Sequence, residues 1–155
     1  MARKGGSTFP DVGDRNDRTI TMIKVSKAVA MPELFEFLER AGVDVDVDDM
    51  LEDDRNDFEA MVSALVKPIT QGRAMIDGEA YVLTLHKPMG EMTSISVREP
   101  SGLAWELMDR AKKGEDMKRV MRFIEGFTSI PYAQIVKLSN RDMKVLTKFA
   151  QLFMG

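Results

Sequence analysis

The sequence contains no cysteine, which rules out a disulfide framework, a thiolate nucleophile and any cysteine-ligated metal. It contains one histidine, His86. A single histidine without cysteine cannot build a usual zinc site, and nothing beside it marks a nucleophile. There is no glycine-rich phosphate loop: Gly5 and Gly6 lie in a polar N-terminal stretch, and Gly78, Gly90 and Gly102 sit where turns are expected. No segment approaches the roughly 18 consecutive apolar residues of a membrane span, and no apolar run follows the basic pair Arg3-Lys4. Carboxylates are plentiful, but a solvated acidic face accounts for them without catalysis. These absences predict a soluble cytosolic protein that is not an enzyme, with no catalytic residue, metal, cofactor or membrane partner.

A basic surplus is also missing. The chain carries 22 basic and 25 acidic side chains for a net charge of −3. Residues 1–69 hold 9 basic and 15 acidic groups, whereas residues 70–155 hold 13 and 10. A surplus of three positive charges in the second part is too weak for a nucleic-acid footprint, which rests on clustered phosphate neutralisation. The asymmetry reads as ordinary solvated faces, as two segments with different jobs, or as one segment complementing the other.

What is present divides into three segments. Residues 1–18 are rich in Gly, Asp, Asn and Arg and nearly free of apolar side chains, which predicts a flexible arm. Residues 19–70 read as an acidic strand–helix segment. Thr19–Val25 alternates as a strand does, and Pro32 suits the first position of a helix whose stripe is Leu34, Phe35 and Leu38 and whose stop is Gly42. Between Asp44 and Glu59 stand nine acidic side chains and one basic one. A calcium loop of EF-hand type starting at Asp44 fails, because its sixth position is Asp49 rather than Gly and its twelfth is Arg55 rather than a bidentate carboxylate. An acidic helix start is the better account, since carboxylates are favoured near a helix N-terminus. Phe58, Met61, Val62, Leu65 and Val66 then repeat at helical spacing, with Pro68 as the expected end.

Residues 71–155 read as a β-hairpin and its extension followed by helices. Asp77-Gly78 suits a two-residue hairpin turn. Tyr81, Leu83 and Leu85 alternate with Val82, Thr84 and His86, a second turn is expected at Pro88-Met89-Gly90, and Thr93, Ile95 and Val97 alternate again. Helical stripes follow: Leu103, Leu107, Met108 and Ala111, then Met117, Val120, Met121, Ile124 and Phe127. A short turn carries Ile135, Val136 and Leu138. Ser139-Asn140-Arg141-Asp142 is a capping-box variant opening a last helix with Leu146, Phe149 and Phe153. The predicted class is α+β: a small antiparallel β-meander followed by a helical C-terminal half, with a mainly helical acidic N-terminal segment.

Methionine is over-used, 13 residues against 11 leucines. Its flexible thioether fills irregular gaps and adapts to varied partners. Met108, Met117 and Met121, with Phe123 and Phe127, therefore read in two ways: as core, or as an adaptable apolar surface for a protein partner. Phe123 lies off the main stripe of its helix, so that helix is either buried on two sides or carries an exposed aromatic.

The order of elements, together with the wording at its joints, resembles the tail assembly chaperone family of contractile-tailed and Mu-like phages. The matching residues are the D-G-x-x-Y turn Asp77-Gly78-Glu79-Ala80-Tyr81, then Leu83-Thr84-Leu85, then the junction Arg98-Glu99-Pro100 with Ser101-Gly102, and the loop Ile135–Ser139 before Asp142. The resemblance spans roughly residues 73–153. Two features lie outside that pattern: the additional strand Thr93–Val97 and the long N-terminal segment. The resemblance implies a non-catalytic protein of the host cytoplasm that binds the tape measure protein, keeps its apolar surfaces from aggregating and helps tail tube protein polymerise around it. A homo-oligomer is compatible with it. The alternative it implies is a structural component of the tail or baseplate, retained in the virion.

Overall fold

The computed structural model describes residues 23–155. The arm expected over residues 1–18, and most of the strand expected over Thr19–Val25, lie outside the described residues; Ile23–Val25 form no strand.

Helix α1 runs from Lys27 to Arg40, so Pro32 sits inside it rather than at its first position. The correction has a packing cause. The buried stripe of Leu34, Phe37 and Leu38 extends back to Ala30, and the first turn closes on the Ser26 carbonyl ahead of the proline. A short 3-10 turn, Val47–Asp49, precedes helix α2, Glu52–Thr70. Its first turn holds Glu52, Asp53 and Asp54, as the acidic start predicted. Pro68 does not end it: Pro68 and Ile69 are both buried, and that packing carries the helix to Thr70.

The sheet is an antiparallel meander in the order β1-β2-β3, with β1 at Ala74–Asp77, β2 at Ala80–Met89 and β3 at Met92–Val97. Asp77 pairs with Ala80, so the central residues of the first turn are Gly78-Glu79 and not Asp77-Gly78. Gly78 has a φ of 62° and Glu79 is not positive, the pattern of a II′ turn, which asks for Gly at the first central position. The second turn is shifted in the same way: Met89 pairs with Met92, leaving Gly90-Glu91 as the loop and Pro88 within β2.

Between Thr84 and Met89 the β2–β3 register slips. Four residues of β2, Leu85 to Pro88, face a single residue of β3, Thr93. Pro88 has no N–H to give to a ladder, and a bulge is where a sheet tolerates it. The slip also turns Thr93 outward, so Ile95 and Val97 are buried without it.

Helices α3 (Gly102–Asp109), α4 (Asp116–Thr128), α5 (Tyr132–Ile135) and α6 (Asn140–Met154) complete the fold. The arrangement is mixed α+β, with one face of the sheet packed on helices. A single core joins Leu34 and Phe37 of α1, Leu65 of α2, Tyr81 and Leu83 of β2, Phe123 and Phe127 of α4, and Phe149 of α6. Residues 27–70 therefore share their core with residues 71–155. Aromatic rings run through it in near-continuous contact, from Trp105 to Phe123, Phe127, Phe153, Phe149 and Tyr81, with centroid separations of 4.9, 5.5, 5.1, 5.8 and 4.7 Å. Among the described residues, no helix is long and apolar enough to cross a membrane.

Candidate functional site

The two joints singled out in the sequence meet in space. The β1–β2 turn, the end of α1 and the strand-to-helix junction enclose a cleft of about 540 Å³, lined by Phe37, Arg40, Ala41, Glu79, Arg98 and Glu99. The Arg40 guanidinium donates to the Gly78 carbonyl at 3.1 Å, fixing the turn beside Asp77 to α1. The Arg98 amide donates to the Phe127 carbonyl at 3.1 Å, which clasps the junction to the last turn of α4. Past Pro100, the Ser101 hydroxyl accepts from the Leu103 amide at 3.3 Å and caps α3, whose first residue is Gly102. Two guanidinium and two carboxylate side chains line this open cleft.

A second node lies where β2 bulges. Asp142, the third residue of α6, is fully buried. The capping box forms in part, with the Asp142 amide donating to the Ser139 hydroxyl at 3.2 Å. The carboxylate does not complete a reciprocal bond to the Ser139 amide. It accepts from the Ser139 hydroxyl at 2.9 Å and from the His86 amide at 2.9 and 3.0 Å, with the Lys87 amide at 3.5 Å. Arg73, just before β1, approaches it at 3.4 Å. On the β1 side of β2 the Thr84 amide donates to the Arg73 carbonyl at 2.8 Å, and the His86 amide, two residues on and past the start of β1, goes to the aspartate instead. His86 thus contributes its backbone here, while its side chain is exposed. Nearby, the Tyr81 hydroxyl donates to the Leu65 carbonyl at 2.7 Å, tying β2 to α2. Burial pushes the Tyr81 phenol above the ordinary tyrosine range, and Arg73 opposes this only in part.

The five residues offered as a partner surface separate into two groups. Phe123 is fully buried, Phe127 is 2% exposed and Met108 is also buried, so these three are core. Helix α4 is buried on two sides: Phe123 meets Trp105 of α3, and Phe127 meets Phe153 of α6. That resolves the off-stripe position of Phe123. Met121 is half-buried, and Met117 is 60% exposed. Sequence patterning did not find the other exposed apolar side chains of this region, Leu103, Trp105 and Val136. Leu103 falls on a helical stripe in the sequence, yet it is 54% exposed.

The α3–α4 pair is held by an approach the sequence marks only with a mid-helix glycine. A Cβ on Gly126 would lie 2.2 Å from the Ala104 Cα and 2.4 Å from its Cβ. Such backbone proximity is possible only without a side chain.

Between α2 and α6 lies a groove of about 400 Å³. Its floor is Met50, Phe58, Met61 and Leu152, and its rim carries Asp44, Asp54 and Asp57. Among the described residues, no group of His, Cys, Asp and Glu is placed to hold a metal ion. Comparison with protein-family models, with curated proteins and with solved structures gives no match.

Proposed function

We propose that this protein is a non-catalytic phage tail assembly factor that works in the host cytoplasm, binding the tape measure protein and assisting assembly of the tail tube around it. The observation that carries the reading is the convergence of the Asp77–Tyr81 turn and the Arg98–Pro100 junction on one cleft, from which the chain passes directly into helices. That is the order of elements on which the resemblance to tail assembly chaperones rests. The helical half supports it further by leaving Leu103, Trp105 and Met117 in solvent. A long amphipathic client helix is held by apolar anchors in contact with a surface that can repack, a role for which methionine is suited.

Two measurements test it. Replacing Leu103 and Met117 together by Gln removes apolar surface at positions that bear little on folding, where changes stay within about 0.5 kcal/mol. The pair is expected to reduce capture of the tape measure protein several-fold while thermal unfolding stays unchanged. Unaltered capture counts against this surface. Mass spectrometry of purified particles addresses the residence of the protein. Its absence is expected, and stoichiometric presence would assign it instead to the tail or baseplate structure.

A further inference from the structure

The tail-assembly reading leaves the acidic segment without a role, and the groove between α2 and α6 gives it one. Its floor is apolar: Phe58 and Leu152 are buried, and Met50 and Met61 are half-buried. Phe58 is held from behind by Phe35, with ring centroids 6.2 Å apart, so the floor has a fixed aromatic base beneath two adaptable thioethers. The rim is of one sign. Asp44, Asp54 and Asp57 are exposed, and the ion pairs among the described residues lie elsewhere, at Asp142, Glu115 and Glu125. Arg55, the basic residue of the segment, is turned away to donate to the Val47 carbonyl at 3.1 Å. No strand edge borders the groove, so an extended peptide would find no ladder to join there. Apolar anchors at helical spacing, flanked by cations, match both floor and rim.

We propose that this groove is a docking site for a lysine- or arginine-rich amphipathic helix of a partner protein. Its apolar stripe seats on Met50, Phe58, Met61 and Leu152, and its cations meet Asp44, Asp54 and Asp57. The carboxylates steer the approach and select against acidic helices, while the methionines adjust to the anchors presented. The proposal is independent of the tail-assembly reading, because it concerns a different face from Leu103 and Met117.

The test uses the full chain with methyl-labelled methionine and a synthetic helical peptide of Lys and Leu, the Leu residues spaced three and four apart. On titration, the Met50 and Met61 methyl resonances are expected to move while that of Met117 stays in place. Asp54→Asn with Asp57→Asn is expected to weaken binding about tenfold, two partly desolvated ion pairs at the upper end of the surface range, and to reduce its salt dependence. A peptide with Glu in place of Lys is expected to bind at least about tenfold more weakly. Equal binding of the two peptides would overturn the proposal. So would a response confined to Met117 or Met121. Movement of the Met50 and Met61 methyls on raising protein concentration alone would also overturn it, by making a second copy of the chain the occupant.

Discussion

Asp142 illustrates how one side chain can take over a job that the backbone has given up. Past the start of β1 that edge of β2 has no strand to pair with, and a carboxylate at the start of α6 accepts its amides where the helix N-terminus also favours negative charge. Removing it would leave part-buried amide donors unpaired and Arg73 with only the Thr84 carbonyl. Asp142→Ala is therefore expected to lower the unfolding free energy by about 3 kcal/mol. Asp142→Asn keeps an acceptor oxygen and should lose less. Urea denaturation of both variants checks the order, and an Ala variant as stable as the parent contradicts it. Tyr81 gives a second residue-scale expectation. Its phenol ionises less readily in the folded than in the unfolded chain, so above about pH 10 the unfolded state sheds its proton first and binds fewer protons. Stability from this group is present below that pH and falls as pH rises. Tyr81→Phe is expected to cost about 1 kcal/mol at neutral pH through the lost bond to Leu65, and to flatten the alkaline fall seen in urea titrations at rising pH.

Among elements, the α3–α4 pair depends on Gly126. Alanine is the better helix former by about 1 kcal/mol, so propensity alone predicts that Gly126→Ala stabilises. The close packing of Gly126 on Ala104 reverses the sign, because an added methyl would meet backbone that can move only by separating the helices. A net loss of about 1–3 kcal/mol is expected, read as a lower unfolding midpoint; a higher midpoint contradicts the packing account. This contact is illegible in the sequence, because nothing near Gly126 in the chain names Ala104 as its neighbour. The alternation of β2 and most of the helical stripes were legible, since hydrophobic period reports which face is buried, but Thr93 and Leu103 fit the pattern and are exposed. Boundaries at proline were not. Pro32 and Pro68 both lie within helices because buried neighbours, Ala30 on one side and Ile69 on the other, outweigh the local break. Both hairpin turns are legible but expected too early, at Asp77-Gly78 for Gly78-Glu79 and at Pro88–Gly90 for Gly90-Glu91, as only pairing shows which residues are central.

For the molecule as a whole, the sheet joins α1 and α2 to the C-terminal helices through one core, and the apolar surface left over falls on separate faces. Periodicity could name Met108, Met117, Met121, Phe123 and Phe127 as a set, but not divide them. The division depends on which neighbour each side of α4 meets, and those neighbours are distant in sequence. The acidic segment was legible as a helix start, while its groove was not, since Leu152 reaches it from the far end of the chain. The proposed function requires that the protein bind a long helical client. The most direct measurement is production of the tape measure protein with and without this chain, followed by pull-down from the soluble fraction. The tape measure protein is expected to aggregate alone and to co-purify in soluble form when the two are made together. A tape measure protein equally insoluble in both cases, with nothing retained on the pull-down, would contradict it.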